Sequence, residues 1–280
     1  MIELVVLDHD GTFTDTRDGA PGFDSAFLLE LGNVLGGIDV REDYERAKDE
    51  VRAASPELAW EIAGHAVSPA AGDPFTLASE AARRVLGARG VPKAFLSDVI
   101  GELYALAYGR APSPYRPDAR AVLGVLRRRA NAVFVTNASS EVVNRRLTES
   151  MFPAGLTTLS VEGDARKFVV GPSLAPDPRF DALPASTTAR GLARPILLRR
   201  GRYFDVLKRL WERTGTTAET TLVCGDTWEL DLAMPAALGA QVHLVLRENT
   251  YAYERAAIDA LGPRGGASES LLPILTRLAG

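Results

Sequence analysis

Two carboxylates one residue apart, Asp8 and Asp10, stand directly after an apolar run, Leu4-Val5-Val6-Leu7, and before Gly11-Thr12. Val5 to Leu7 read as a short buried strand, and Gly11 as the turn that ends it. Once the backbone leaves the strand at Asp10-Gly11, both acids can converge on one point. Like charges brought together are costly unless a cation or a shared proton offsets them. The placement suggests a bound metal, catalysis, or both. Taken by itself it also matches an ordinary strand-ending turn, in which Asp before Gly only satisfies local geometry.

Polar chemistry recurs at the ends of other apolar runs. Ala132-Val133-Phe134-Val135 leads into Thr136-Asn137-Ala138-Ser139, and Thr221-Leu222-Val223-Cys224 leads into Gly225-Asp226-Thr227, with Asp231 further on. Each alone has a plain structural reading. Thr136 to Ser139 can cap the next helix, and Gly225 to Asp231 can be a turn with a helix cap. Their joint occurrence at matching strand ends favours a shared site over three coincidental turns.

The elements that must position these residues alternate. The three runs, with Gln241 to Leu246 as a fourth, are continuously apolar, as strands buried on both faces of a parallel sheet are. Helical periodicity falls between them at Pro117–Arg129, Glu141–Glu149 and Tyr203–Arg213. Such alternation predicts a doubly wound, Rossmann-like α/β core, whose ligands bind at the carboxyl ends of its strands. Residues 16–115 break the rhythm, with helices expected from Asp24 to Leu35, Glu42 to Ala54, Pro56 to Ala66, Asp73-Pro74 to Leu86, and Ser97 to Tyr108. They predict an inserted all-helical domain over 16–115, and a core made of 1–15 and 116–280. Insertions at strand ends commonly carry binding function. Val169 to Pro195, rich in proline, reads as a long loop, with one strand at Ile196–Leu198.

Composition limits the remaining classes. The 280 residues are 46% hydrophobic and 24% charged, with a net charge of −4, which suits a globular protein and gives no general attraction to nucleic acid or anionic membrane. The single cysteine, Cys224, excludes an internal disulfide and a thiolate metal cluster, and its apolar neighbours suggest a buried structural thiol. With no basic leader at Met1-Ile2-Glu3 and no apolar run near bilayer length, a cytoplasmic location is expected. His9 is expected to point away from the site, His243 to lie within a strand, and His65 to lie in the insertion. Trp228 is expected to pack a helix.

These residues resemble the haloacid dehalogenase (HAD) superfamily. Its first motif stands as Asp8-His9-Asp10-Gly11-Thr12 with Asp15 downstream, its second as Val133-Phe134-Val135-Thr136-Asn137, and its fourth as Gly225-Asp226 with Asp231. For the third motif, a single basic residue, Lys167 has a suitable spacing, and Arg200 is the second candidate. The resemblance implies a magnesium-dependent phosphatase acting on a small-molecule phosphate monoester through an aspartyl-phosphate, with a cap inserted after the first motif. Asp8 would be the nucleophile and Asp10 the general acid and then base. Mg2+ would be held by Asp8, Asp226 and the backbone carbonyl of Asp10, with Asp231 orienting that shell. Gly11, Thr136, the amide of Asn137 and Lys167 would hold the phosphate. Asp10 favours a phosphatase over a dehalogenase, since departing halide needs no proton whereas departing alkoxide does. A phosphosugar mutase keeps the same roles, and a catalytically silent binding protein could share the scaffold.

Overall fold

A computed structural model describes residues 1–152 and 159–278. In chain order its elements are β1 (Leu4–Leu7), α1 (Thr16–Val34), α2 (Arg41–Ala54), β2 (Ala59–Ile62), β3 (His65–Pro69), α3 (Pro74–Ala88), α4 (Lys93–Arg110), α5 (Ala119–Arg129), β4 (Asn131–Val135) and α6 (Ser140–Ser150). There follow β5 (Ser160–Glu162), α7 (Pro178–Asp181), β6 (Ser186–Thr187), β7 (Ile196–Leu197), α8 (Gly201–Thr214), β8 (Thr221–Gly225), α9 (Ala233–Ala237), β9 (Gln241–Val245), α10 (Ala252–Asp259), β10 (Gly265–Ser268) and α11 (Leu272–Leu278). No helix among the described residues is long and apolar enough to cross a membrane.

The chain separates into two compact units. One comprises Met1–Thr14, Ile62–Ser68 and Tyr115–Gly280, and the other Asp15–Glu61 and Pro69–Pro114. The first unit is built on a parallel sheet of order β10-β9-β8-β1-β4-β5. Its central strand alternates between two cores. Leu4 and Val6 pack with Val133, Val135 and Val223 on one face, and Val5 and Leu7 with Ala132, Phe134, Leu222 and Cys224 on the other. This is why β1 is apolar at every position. Register then aligns the chemistry: Leu7 pairs with both Phe134 and Cys224, so the chain leaves the sheet at one edge into Asp8, Thr136 and Asp226.

Several expected elements differ. The sheet has six strands where four were expected, because edge strands β5 and β10 are short and poor in branched apolar residues, reading Ser-Val-Glu and Gly-Gly-Ala-Ser. The helix expected from Pro56 to Ala66 is instead the β2–β3 hairpin, so the insertion is not all-helical. Its two-residue turn, Ala63-Gly64, has positive φ at both positions (50° and 78°), as tight hairpins require. The first inserted helix starts at Thr16, with the Asp15 side chain accepting from Arg17 N–H, and it runs on through Pro21. Asp24, expected as its cap, instead accepts from Tyr44 and Lys48 at 2.8 and 2.7 Å. The proline-rich stretch contains α7, and β6 pairs antiparallel with β7.

Candidate active site

Asp8 leaves β1 buried, its amide bonded to the Cys224 carbonyl at 2.8 Å. Thr12 Oγ1 donates to its Oδ2 at 3.0 Å, and Lys167 Nζ to its Oδ1 at 2.7 Å. The same ammonium donates to Asp231 Oδ1 at 2.8 Å, and Thr227 N–H satisfies Asp231 Oδ2 at 3.0 Å. Carboxylate oxygens of Asp8, Asp226 and Asp231 lie within 4.8 Å of one another. Burial pushes the Asp8 carboxyl up to about 6, against the pull of Lys167. Burial also acts against the charge of Lys167, yet Asp231 and Asp8 outweigh it, and its pKa is raised. The lysine thus stays cationic, and the Asp8 carboxyl is held above the ordinary carboxylate range.

The glycines here are spacers. Gly11 has φ +83°, and a Cβ on it would lie 2.1 Å from Asp226 Oδ2. A Cβ on Gly225 would lie 2.3 Å from that of Asp231. Only bare backbone lets these carboxylates draw together.

Lys167 reaches Asp8 from a constrained loop. Asp164 and Arg166 both adopt positive φ (51° and 48°), which is unusual for residues with side chains. Asp164 and Ala165 donate their amides to the Ala138 and Thr136 carbonyls, both at 2.9 Å. Exposed Asn137 accepts the Lys167 amide on its Oδ1 at 2.8 Å. Thr136, buried, accepts from Ala138 N–H on its hydroxyl at 3.2 Å. The Thr136-Asn137 strand end therefore braces the lysine loop as well as opening onto the site.

Arg200, the second candidate for the basic residue, does not take that place. Fully buried at the start of α8, it donates to the backbone carbonyls of Leu197, Lys167 and Val67 at 3.1, 2.8 and 2.7 Å. It joins the lysine loop to Val67 of β3 within the first unit.

Solved structures are similar to this chain in fold at low sequence identity. A protein of Bacteroides fragilis described as a haloacid dehalogenase-like hydrolase is 15% identical, with a TM-score of 0.54 over 98% of this chain and 100% of that one. YfnB from Bacillus subtilis, described as a HAD-hydrolase bound to magnesium, is 14% identical, with a TM-score of 0.53 over 100% and 99% of the two chains. The fold is that of the HAD-like hydrolases. A 2-haloacid dehalogenase from Pseudomonas syringae pv. Tomato DC3000 is 16% identical, with a TM-score of 0.49 over 100% and 99%. No protein-family model and no curated protein matches the sequence.

On this HAD-like frame several neighbours of the site were not foreseen. His9 packs edge-on against Phe134, in the core of Val5 and Leu7, and from there also reaches Asp10: its Nδ1 lies 3.2 Å from Asp10 Oδ1, and its Nε2 3.0 Å from the Tyr115 hydroxyl. Arg146 Nη1 lies 3.7 Å from the same Asp10 oxygen. Arg116 donates to the Gly11 carbonyl at 2.9 Å, and Arg247 Nε lies 3.6 Å from Asp226 Oδ2. These partners come from α6 and from loops whose sequences carry no recognisable pattern, so spacing offered no signal for them. His243 lies in β9, where burial pulls it down to about 4, and His65 is exposed on the hairpin. Trp228 is buried with the core beside α9, and Cys224 is buried, its thiol pushed up by burial. Asp15 serves as the cap of α1.

The donor set fits a hard divalent cation. It is all oxygen, buried, and more anionic than Lys167 alone can balance. Asp8 and Asp231 each already accept on both oxygens, Asp8 from Thr12 and Lys167 and Asp231 from Thr227 and the same lysine, and Asp226 completes the cluster beside them.

Proposed function

We propose that this chain is a magnesium-dependent phosphatase that hydrolyses small-molecule phosphate monoesters through an aspartyl-phosphate on Asp8. The observation that carries the reading is the buried Asp8 carboxylate, held by Thr12 and Lys167 with Asp226 alongside, next to a second acid, Asp10. A lone nucleophile would also serve dehalogenation. Asp10 adds an acid that ester cleavage uses, because the departing alkoxide must be protonated.

Asp8 attacks phosphorus as the ester P–O bond breaks, and Asp10 gives its proton to the leaving oxygen. Asp10, now ionised, takes a proton from water as that water attacks the phosphorus. The P–O bond to Asp8 breaks, releasing inorganic phosphate and restoring both groups. Lys167, Thr136 and the amide of Asn137 hold phosphate oxygens as their charge redistributes, whereas the Gly11 amide, expected to join them, donates instead to Thr14 Oγ1 at 3.0 Å. His9 and Arg146 keep the Asp10 carboxylate in place between its two proton transfers. Asp8, Asp226 and the Asp10 carbonyl would hold Mg2+, and Asp231 would orient that shell through Lys167 and Thr227. When bound, the ion supplies positive charge that lets two anions, carboxylate and phosphate, approach.

The test is release of inorganic phosphate from a panel of phosphate esters, with 2-chloropropionate as a halide-releasing control, in magnesium and in chelator, beside Asp8→Asn. Phosphate release that needs both magnesium and Asp8 is expected. Full activity in Asp8→Asn, or halide release alone, refutes the reading. Conversion of a sugar phosphate to its isomer without phosphate release would identify a mutase, and inertness toward every ester a silent scaffold.

A further inference from the structure

Arg247, just beyond the end of β9, is a buried cation outside the roles assigned so far. Its Nε lies 3.6 Å from Asp226 Oδ2, while its Nη2 donates to Glu254 Oε1 and Oε2 at 3.3 and 3.1 Å. Glu254, on α10, is fully buried and also accepts the Trp228 and Tyr251 amides, both at 3.0 Å. Trp228 follows Asp226 by two residues. One buried acid therefore fixes both the arginine and the loop that carries Asp226. The guanidinium is held from behind, with its Nε edge toward the carboxylate cluster.

A guanidinium cannot shed its charge in a protein, so its field on Asp226 is permanent. Without a divalent ion it offsets repulsion among Asp8, Asp226 and Asp231, together with Lys167. With an ion present, the two cations share one carboxylate and repel each other. We propose that Arg247 is a resident counter-cation of Asp226, which steadies the empty carboxylate cluster and weakens its affinity for a divalent cation, so that loading follows the magnesium concentration. This rests on reading Asp226 as a metal ligand. It assigns Arg247 a positioning and tuning role, without contact to substrate.

The experiment is calorimetric titration of the full chain with MgCl2 in the absence of substrate, with thermal unfolding at zero and saturating magnesium. Wild type is compared with Arg247→Met, Arg247→Lys and the double variant Arg247→Met with Glu254→Gln. The double variant removes the acid that would otherwise be left buried without its cation, and it carries the comparison if the single variant does not fold. Arg247→Met is expected to bind Mg2+ about tenfold more tightly, because a nearby like charge has gone, and the double variant, which also loses the more distant Glu254 acid, should shift in the same direction by less. Arg247→Lys, which keeps the charge, should stay close to wild type. Without magnesium the methionine variants should melt below wild type, and saturating magnesium should close the gap. Unchanged or weaker Mg2+ binding in the methionine variants, or a lysine variant that behaves like them, overturns the proposal. Magnesium-dependent phosphatase turnover with equal affinities in all proteins would sink the Arg247 proposal alone. Absence of both turnover and Mg2+ binding throughout would sink the functional reading with it.

Discussion

Replacing Lys167 by Met keeps most of the stem's volume and removes the charge between two buried acids. Lys167 Nζ makes two charge-assisted hydrogen bonds, at 2.7 Å to Asp8 and 2.8 Å to Asp231, and is 1% exposed. Bonds of that kind contribute about 1.5–3 kcal/mol each. Breaking a buried ion pair from one side costs about 3–5 kcal/mol, so both routes place the loss near 4 kcal/mol at neutral pH. The loss should depend on pH with a definite sign. Asp8 is raised to about 6 in the folded chain, from about 3.9 when unfolded. Between those values the folded chain holds more protons at Asp8, so stability present at low pH declines as pH rises through the folded pKa. Without Lys167 the Asp8 pKa rises further, and the decline extends past neutrality. Urea unfolding of both proteins in chelator, followed by tryptophan fluorescence, should show a gap that is widest near pH 7.5 and narrows toward pH 5. Adding Asp8→Asn to the variant should recover part of the loss, as coupled neighbours do. A gap under about 1 kcal/mol, or one independent of pH and additive with Asp8→Asn, would refute the ion-pair account.

The other predictions concern separate parts of the molecule. Gly11→Ala puts a Cβ 2.1 Å from Asp226 Oδ2 at φ +83° and should destabilise the fold by about 1–3 kcal/mol while weakening Mg2+ binding; wild-type titration curves would contradict this. His9→Phe removes the imidazole's contacts with Asp10 and Tyr115 and should lower kcat about 10–100-fold with little change in KM. A rise in KM at constant kcat would place His9 in substrate binding instead. His243 is pulled down to about 4 by burial and Arg277, against about 6.5 unfolded, so the unfolded chain binds its proton first on acidification. The stability it contributes above about pH 6.5 should be lost toward pH 4, by about 3 kcal/mol, and parallel urea-midpoint curves for wild type and His243→Gln would disprove this.

Much of the sheet was legible because the constraint there is local. β1, β4, β8 and β9 are buried on both faces, so each reads as a continuous apolar run. Edge strands β5 and β10 bury less, and their Ser, Glu and Gly carry no such signal. The hairpin at Ala59 to Pro69 eluded the helical reading because its evidence was one dipeptide, Ala63-Gly64, rather than periodicity. Pro21 lies inside α1, where the usual meaning of proline as a breaker yields to the packing of Phe23, Phe27, Leu28 and Leu31 along one helix.

The acids and cations of the site differed in legibility for a geometric reason. Asp8 and Asp226 are short side chains whose positions follow from strand register, so the pairing of Leu7 with Cys224 nearly dictates that they meet. Cations reach the same point on long stems from elements with no register to it: Lys167 from a loop between β5 and α7, Arg146 from α6, and Arg247 from beyond β9. Spacing alone therefore could not separate Lys167 from Arg200. Hydrogen-bond chemistry does. A lysine presents a compact charge that can sit between two carboxylates, as Lys167 does, whereas a guanidinium spreads its donors in a plane. Arg200 uses that spread to join three backbone carbonyls, one of them that of Lys167 itself. The two candidates thus serve one site at different removes, with the arginine bracing the loop that delivers the lysine.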